Sequence, residues 1–171
     1  NTEIERWIEK GTLVEVDPPR KGDNVHYLPH FGVPKGGNKL DLRPVMDCAA
    51  KYRGKSLNDA ITPGVNMIND LVQVKLRFRR KPVAVTSDVQ DMYLRVRMPQ
   101  EDQELHRILW EFPDGTRRHF KFTCMVFGNN CAPNCVCFGV RKKAEQGKEG
   151  WPEAYKALLA SSILDDLAPS T

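Results

Sequence analysis

The chain has 171 residues, 40% of them hydrophobic and 28% charged, with 26 Lys and Arg against 22 Asp and Glu for a formal net charge of +4. This length and composition fit one soluble globular domain with a real core and exclude a disordered chain. The mild positive charge permits a nucleic-acid partner without demanding one, and no apolar run approaches the roughly 18 residues of a membrane span. The first residues, Asn1-Thr2-Glu3-Ile4-Glu5, carry neither an initiator Met nor a signal pattern, so the chain is expected to be cut from something longer. Five cysteines, Cys48, Cys124, Cys131, Cys135 and Cys137, form an odd set read as reduced intracellular thiols. The spacing Cys131-x3-Cys135-x-Cys137 suits no tetrahedral zinc site, and these side chains are expected to act as small buried hydrophobes.

In chain order, Ile4, Trp7 and Ile8 recur at spacings of three and four and predict a helix over 2–10, stopped by Gly11. A short strand over 13–16 follows, then a Pro- and Gly-containing loop. Two extended runs, 25–33 and 40–46, flank the tip Lys35-Gly36-Gly37-Asn38-Lys39 and predict a hairpin. Gly54-Lys55-Ser56-Leu57-Asn58-Asp59 is turn chemistry. A helix is expected over 66–78, with Met67, Leu71, Val74 and Phe78 on one stripe. Its basic end, Arg77, Arg79, Arg80 and Lys81, suits either the helix dipole at a solvated face or a phosphate backbone. Strands are expected over 83–88 and 94–98, and a short helix opens at Pro99. Strands 108–112 and 119–123 flank the turn Pro113-Asp114-Gly115-Thr116. Phe127-Gly128-Asn129-Asn130 breaks the chain before a helix over 132–146 that Gly147 stops. A last helix starts at Pro152 and leads into a final strand. The order lacks regular βα alternation, so the fold class is α+β.

The chemistry lies in two distant strand ends. Val83-Ala84-Val85-Thr86-Ser87-Asp88 ends an apolar strand on a carboxylate, and Ile163-Leu164-Asp165-Asp166 brings two more at a turn. Asp favours solvated turns, so each could simply end a strand. If the three converge, their mutual repulsion is relieved by a divalent metal. Oxygen-only ligands favour Mg²⁺ or Mn²⁺ over zinc, and a pair of such ions is the clamp of in-line phosphoryl chemistry.

With these elements placed, the chain resembles a reverse transcriptase, in particular the polymerases of the BEL/Pao group of LTR retrotransposons. The resemblance rests on an ordered set of blocks: Tyr27-Leu28-Pro29-His30, Leu42-Arg43-Pro44-Val45-Met46-Asp47, Ser56-Leu57-Asn58-Asp59, Ser87-Asp88-Val89-Gln90-Asp91-Met92-Tyr93, Phe127-Gly128 with Ala132-Pro133, and Ile163-Leu164-Asp165-Asp166-Leu167. Arg107-Ile108-Leu109-Trp110 and Pro152-Glu153-Ala154 also look like that group.

The resemblance implies fingers over about 1–85 and palm with fingers insertions over about 86–171. An antiparallel sheet would carry the catalytic aspartates, with helices packed on one face. The rest of the palm, the thumb and RNase H come later in the family and are expected to lie outside this stretch. It implies metal-dependent transfer from a dNTP to a primer 3′-hydroxyl on an RNA or DNA template, within a longer Pol polyprotein in the cytoplasm or virus-like particles and without a membrane.

Asp88 and Asp165 match the two catalytic aspartates that ligate two Mg²⁺ or Mn²⁺ ions, and Asp166 the neighbouring acid of the Tyr-x-Asp-Asp box, with a less direct role. Tyr93 matches the aromatic that excludes a ribose 2′-OH. Arg43 matches the fingers arginine on the triphosphate, and Lys35 and Lys39 are alternative candidates for the fingers lysine. Phe127 and Gly128 match the block under the nucleotide, and Arg77, Arg79 and Arg80 are candidate nucleic-acid contacts. Two departures stand out: Ile163 replaces the usual Tyr, and Pro44 interrupts a fingers strand, where it fits only at an edge or bulge. An inactive nucleic-acid-binding remnant is the alternative, and an interaction module with an incidental acidic turn the third reading.

Overall fold

The protein is described by a computed structural model covering residues 2–35 and 38–170, the side chains of 35 and 38–41 excepted. In chain order the first half contains α1 (Thr2–Glu9), β1 (Leu13–Val16), β2 (His30–Lys35), β3 (Asn38–Met46), α2 (Leu57–Ala60), α3 (Leu71–Phe78) and β4 (Ser87–Asp88). The second half contains α4 (Gln100–Gln103), β5 (Arg107–Glu111), β6 (Arg117–Phe122), α5 (Ala132–Gln146), α6 (Pro152–Ser161), β7 (Ser162–Ile163) and β8 (Asp166–Leu167). They fall into two units, Asn1–Thr62 with Tyr93–Ala132, and Pro63–Met92 with Pro133–Thr171. Helices and small antiparallel sheets in mixed order agree with the α+β expectation.

The first unit is built on an antiparallel sheet of order β1-β6-β5. Leu13, Ile108, Phe120 and Phe122 are buried in it, each at 1% exposure or less. The apolar stripe of α1 supplies Ile4 and Trp7 to the same core, where the Trp7 ring meets Phe122 edge-on at 5.5 Å. Burial of each such side chain contributes roughly 1.5–3 kcal/mol, so this cluster is the stabilising centre of the unit. Gly11 ends α1 as expected, with φ +66° and its N–H donating to the Ile8 carbonyl.

Beside this core, Glu104 accepts from Arg107 and from Lys121 Nζ at 2.6 Å, while Arg107 Nη1 donates to the Asp17 carbonyl at 3.1 Å. The Lys121 hydrogen bond, with help from Arg107, holds the Glu104 carboxyl below the usual range. Each nitrogen of the buried Arg107 guanidinium thus donates to a structural partner.

β2 and β3 form a separate two-stranded ribbon. Among the described residues each strand has one edge without a strand partner, which explains how Pro34 and Pro44 are tolerated inside it. Pro44 lies opposite Gly32, and the register shifts at Pro34/Lys35, so the ribbon carries an irregularity of the kind Pro requires.

In the second unit α3 packs on α6 and on β7, and β4, β8 and β7 form a small antiparallel sheet in that order. Two expectations here need correction. The helix expected over 66–78 starts at Leu71, capped by Asp70, whose side chain accepts from the Gln73 N–H at 2.8 Å. Ahead of it the asparagines bind backbone in other ways: Asn66 Oδ1 accepts from Ile68 N–H, and Asn69 Nδ2 donates to the carbonyls of Leu159 and Ser162. Such local competition is why Asn resists helix interiors. Leu71, expected on the buried stripe, is half exposed, and only Val74 of that stripe is fully buried. The strand expected over 83–88 pairs continuously only at Ser87–Asp88, with a single bridge at Ala84↔Ser170, and Val83 and Val85 are exposed.

In the first unit the strand expected over 94–98 is a tight 3₁₀ turn at Tyr93–Arg95 followed by one bridge, Arg97↔Cys124. The extended run expected over 25–33 is paired from His30 onward, with an isolated bridge at Tyr27.

Candidate functional site

The acidic site is assembled by register. Asp88 in β4 lies directly opposite Asp166 in β8, and Ile163 in β7 lies opposite Asp166 on the other side. Residues directly opposed in an antiparallel pair leave on the same face, with Cβ atoms roughly 4.5–5.5 Å apart, so Asp88, Asp166 and Ile163 form one cross-strand row. Asp165 sits in the two-residue loop between β7 and β8, and its carbonyl accepts from Val89 N–H at 2.8 Å. That bond ties the loop to the residue just after Asp88.

The loop is strained. Leu164, its first residue, has φ +51°, a conformation that two-residue hairpins require and that Gly or Asn normally supplies. Leu there costs on the order of 1 kcal/mol, and such outliers cluster at functional sites. The Ser162–Leu167 hairpin therefore places Asp165 in a tight turn with one left-handed residue and Asp166 on the strand that follows.

Among the described residues, no set of three His, Cys, Asp or Glu side chains is arranged to hold a metal ion. The acids are better described as an opposed pair, Asp88 and Asp166, with Asp165 beside it in the loop. An oxygen-only pair fits Mg²⁺, which keeps several waters and is usually bound through one or two carboxylates plus substrate phosphates.

In the first unit, the Tyr93 ring packs on Phe127 with centroids 4.5 Å apart at a tilt of 46°. Phe127 is 42% exposed, so this aromatic pair presents a face to solvent. The next residue, Gly128, has φ +99°, and a Cβ there would sit 2.2 Å from the Met46 carbonyl oxygen at the end of β3. Only glycine allows that approach. Arg43 lies on the same strand, opposite Val33, and is exposed. The side chains of Lys35 and Lys39 lie outside the described residues.

The loop of Phe127 and Gly128 is anchored by asparagines that sequence reasoning did not single out. Asn58 Nδ2 donates to the Gly128 carbonyl at 2.9 Å, and Asn58 Oδ1 accepts from Asn130 N–H at 2.9 Å. Asn130 Nδ2 donates back to the Asn58 carbonyl at 3.0 Å. Asn129 Nδ2 meets buried His106 Nε2 at 2.9 Å, and His106 Nδ1 meets the Asp102 carbonyl at 2.8 Å. A carbonyl can only accept, so Nδ1 carries the proton and Nε2 accepts from Asn129. Burial pulls the His106 pKa down, in keeping with this neutral tautomer. The signal for Asn58 was its place inside the capping box Ser56-x-x-Asp59, which fixes α2 and hence the residue's direction.

The basic end of α3 divides by role. Arg77 Nη1 donates to the Ala160 carbonyl and Nη2 to Gln73, so its guanidinium is held against α6. Arg79 and Arg80 are exposed. Cys48, Cys124 and Cys137 are buried free thiols, Cys131 and Cys135 partly so. Burial, aided by the Asp47 charge, pushes the Cys48 thiol up to about 12. No helix among the described residues is long and apolar enough to cross a membrane.

No protein-family model matches the chain, and no curated protein does. Solved structures do. One is a foamy viral protease-reverse transcriptase in complex with double-stranded DNA, with a TM-score of 0.59 and 18% sequence identity over 98% of this chain and 25% of that one. The present chain thus spans about a quarter of the length of that protein. At this identity the likeness is one of architecture, and the chain has a reverse-transcriptase-like fold.

Proposed function

We propose that the chain is a fingers and partial-palm portion of an RNA-directed DNA polymerase, from a retroelement of the BEL/Pao kind. The reaction is transfer of a nucleotide from a dNTP to a primer 3′-hydroxyl on an RNA or DNA template. One observation carries the reading: within this fold, Asp88 and Asp166 are opposed across a strand pair beside Asp165 in a strained loop. A pair of Mg²⁺ or Mn²⁺ ions, when bound, supplies charge neutralisation at the α-phosphate and acidifies the attacking hydroxyl.

The chain's own residues divide the remaining work. Asp88, Asp165 and Asp166 offer the hard oxygen ligands, Asp88 and Asp166 set by the strand pairing and Asp165 by the loop before substrate arrives. Arg43, with Lys35 or Lys39, holds the triphosphate through charge-assisted hydrogen bonds. The Tyr93 ring occupies the space a ribose 2′-OH would need, and Phe127 with Gly128 packs beneath the nucleotide. Arg79 and Arg80 suit backbone phosphates, where affinity falls steeply with salt. Template-primer, dNTP and the remainder of a Pol polyprotein are the partners of this reading.

Titration with Mn²⁺ during thermal unfolding tests it. Metal should raise Tm in the parent chain and do so much less in Asp88→Asn, Asp165→Asn and Asp166→Asn. A folded parent with no metal response overturns the reading. Ile163, in the row where the family's tyrosine would stand beside the acids, favours a second reading as a nucleic-acid-binding remnant. Salt-dependent binding of template-primer without any metal response would select it.

A further inference from the structure

The clasp around Gly128 extends the proposed reaction to a residue with no assigned part in it. Asn58 engages the Phe127–Asn130 turn at three atoms. Its Nδ2 donates to the Gly128 carbonyl, its Oδ1 accepts from Asn130 N–H, and its backbone carbonyl accepts from Asn130 Nδ2. Asn130 Nδ2 also reaches the Ile61 carbonyl at 3.2 Å. Asn58 is itself seated firmly: its N–H donates to the Cys48 carbonyl at 3.0 Å. The Ser56–Asp59 capping box closes the turn around it, Ser56 Oγ accepting from Asp59 N–H and Asp59 Oδ2 from Ser56 N–H.

Asn58 thus bridges two backbone segments, both running past the end of β3. One is Met46 to Cys48, which meets Gly128 and Asn58 respectively. The other is the turn itself, which carries Phe127 and hence the ring that packs at a tilt on Tyr93. The turn's opposite side is held independently through Asn129 and His106, so Asn58 governs how closely Gly128 approaches Met46. A primary amide suits this task because it donates to a carbonyl and accepts from an N–H at once.

We propose that Asn58 is a positioning residue: it sets the Phe127–Tyr93 aromatic face against which the sugar and base of an incoming deoxynucleotide pack. The inference rests on the polymerase reading and deepens it by assigning sugar discrimination to the clasp as well as to the ring. A relaxed turn lets the Phe127 ring withdraw and gives Tyr93 room to move away from the sugar. Loss of the clasp therefore weakens deoxynucleotide binding more than ribonucleotide binding.

The test measures binding of dATP and of ATP, each with Mn²⁺, to the parent chain, Asn58→Ala and Asn58→Gln, together with hydrogen exchange at the Asn130 amide. Asn58→Ala should speed exchange at Asn130 by about tenfold, since its acceptor is gone, and weaken dATP binding about five- to tenfold with a smaller effect on ATP. Asn58→Gln keeps donor and acceptor on a longer arm and should restore part of both, which also guards against an alanine variant that fails to fold. Equal weakening of dATP and ATP, or unchanged binding despite faster Asn130 exchange, makes Asn58 merely structural and overturns the proposal. A parent that binds neither nucleotide overturns the polymerase reading and the positioning role together, whereas a parent that binds and variants that bind identically overturn the positioning role alone.

Discussion

Among the described residues, the two three-stranded antiparallel sheets have almost nothing else in common. In β1-β6-β5 the strands are four to six residues long and carry Leu13, Ile108, Phe120 and Phe122, each exposed at 1% or less. In β4-β8-β7 each strand has two residues, none of the six is buried, and the middle of one face is a pair of opposed carboxylates. The first sheet gains stability from apolar burial, while the second places like charges side by side, an arrangement unfavourable by itself. Local stability is not uniform in proteins, and elements that bind ligands come from its lower end. With no buried residue in its strands the acid sheet belongs to that lower end, and its contacts with helices are those of β7 with α3 and α6.

The widest separation between the two sheets should appear in core truncation. Phe120→Ala removes a ring that is 1% exposed and should cost about 3–5 kcal/mol in urea denaturation. Leu167→Ala in the acid sheet, at a partly exposed position, should cost about 1 kcal/mol or less. Equal losses would break the contrast and make the acid sheet a structural centre.

The same contrast governs what could be read from sequence. The hairpin of β5 and β6 is local, alternates, and turns at Pro113-Asp114-Gly115-Thr116, so its pattern alone revealed it. Helix α5 was equally legible, between the Asn129-Asn130 break and Gly147. The run 94–98 does alternate in burial, Leu94 and Met98 inward with Arg95 and Arg97 outward, yet its backbone finds one ladder partner only. Alternation reports which face is buried and does not report whether a neighbouring strand exists. The start of α3 was missed because Asn66, Asn69 and Asp70 spend their side chains on distant or local backbone, which periodicity does not see. At the acidic site the residue types were legible, but the pairing of Asp88 with Asp166 joins strands about 80 residues apart, and the left-handed Leu164 of the neighbouring hairpin is one that no leucine announces. Asn58 escaped for a related reason: its partners lie about 70 residues away.

A pH experiment separates the units by mechanism. His106, buried in the first unit, has its pKa lowered from 6.5, chiefly by desolvation and in small part by His26, against the opposing pull of Asp102. Below pH 6.5 the unfolded chain therefore binds more protons than the folded one. The sign follows: this stability is complete above about pH 6.5 and is lost as pH falls through the window below it. Protonation at Nε2 would also set two donors face to face at Asn129. Stability measured from pH 7.5 to 5.5 should decline, and His106→Gln should flatten the decline. A parent with no slope in that range would show that His106 is not held neutral by the fold.

Strain in the acid sheet predicts a gain. Leu164→Gly relieves a positive φ but loosens the unfolded chain, so the net effect should be stabilisation of about half a kcal/mol or less. The matching change in the first unit, Gly128→Ala, should destabilise, because the new Cβ would strike the Met46 carbonyl. If Leu164→Gly instead destabilises by more than 1 kcal/mol, Leu164 is held by packing and the loop is not a store of strain.

The smallest effect bears most directly on function. If Asp88 and Asp166 repel across the strand pair, Asp88→Asn without metal should stabilise the protein by a few tenths of a kcal/mol at low salt. The gain should shrink as ionic strength rises, since both groups are exposed and their repulsion is screened. With Mn²⁺ present the order should reverse, the parent gaining more than the variant, because binding favours the form that retains both carboxylates. A crossing of the two stability curves with added metal is the signature of a site that accepts a local cost in order to bind. Parallel curves would reduce the opposed acids to two solvated strand ends.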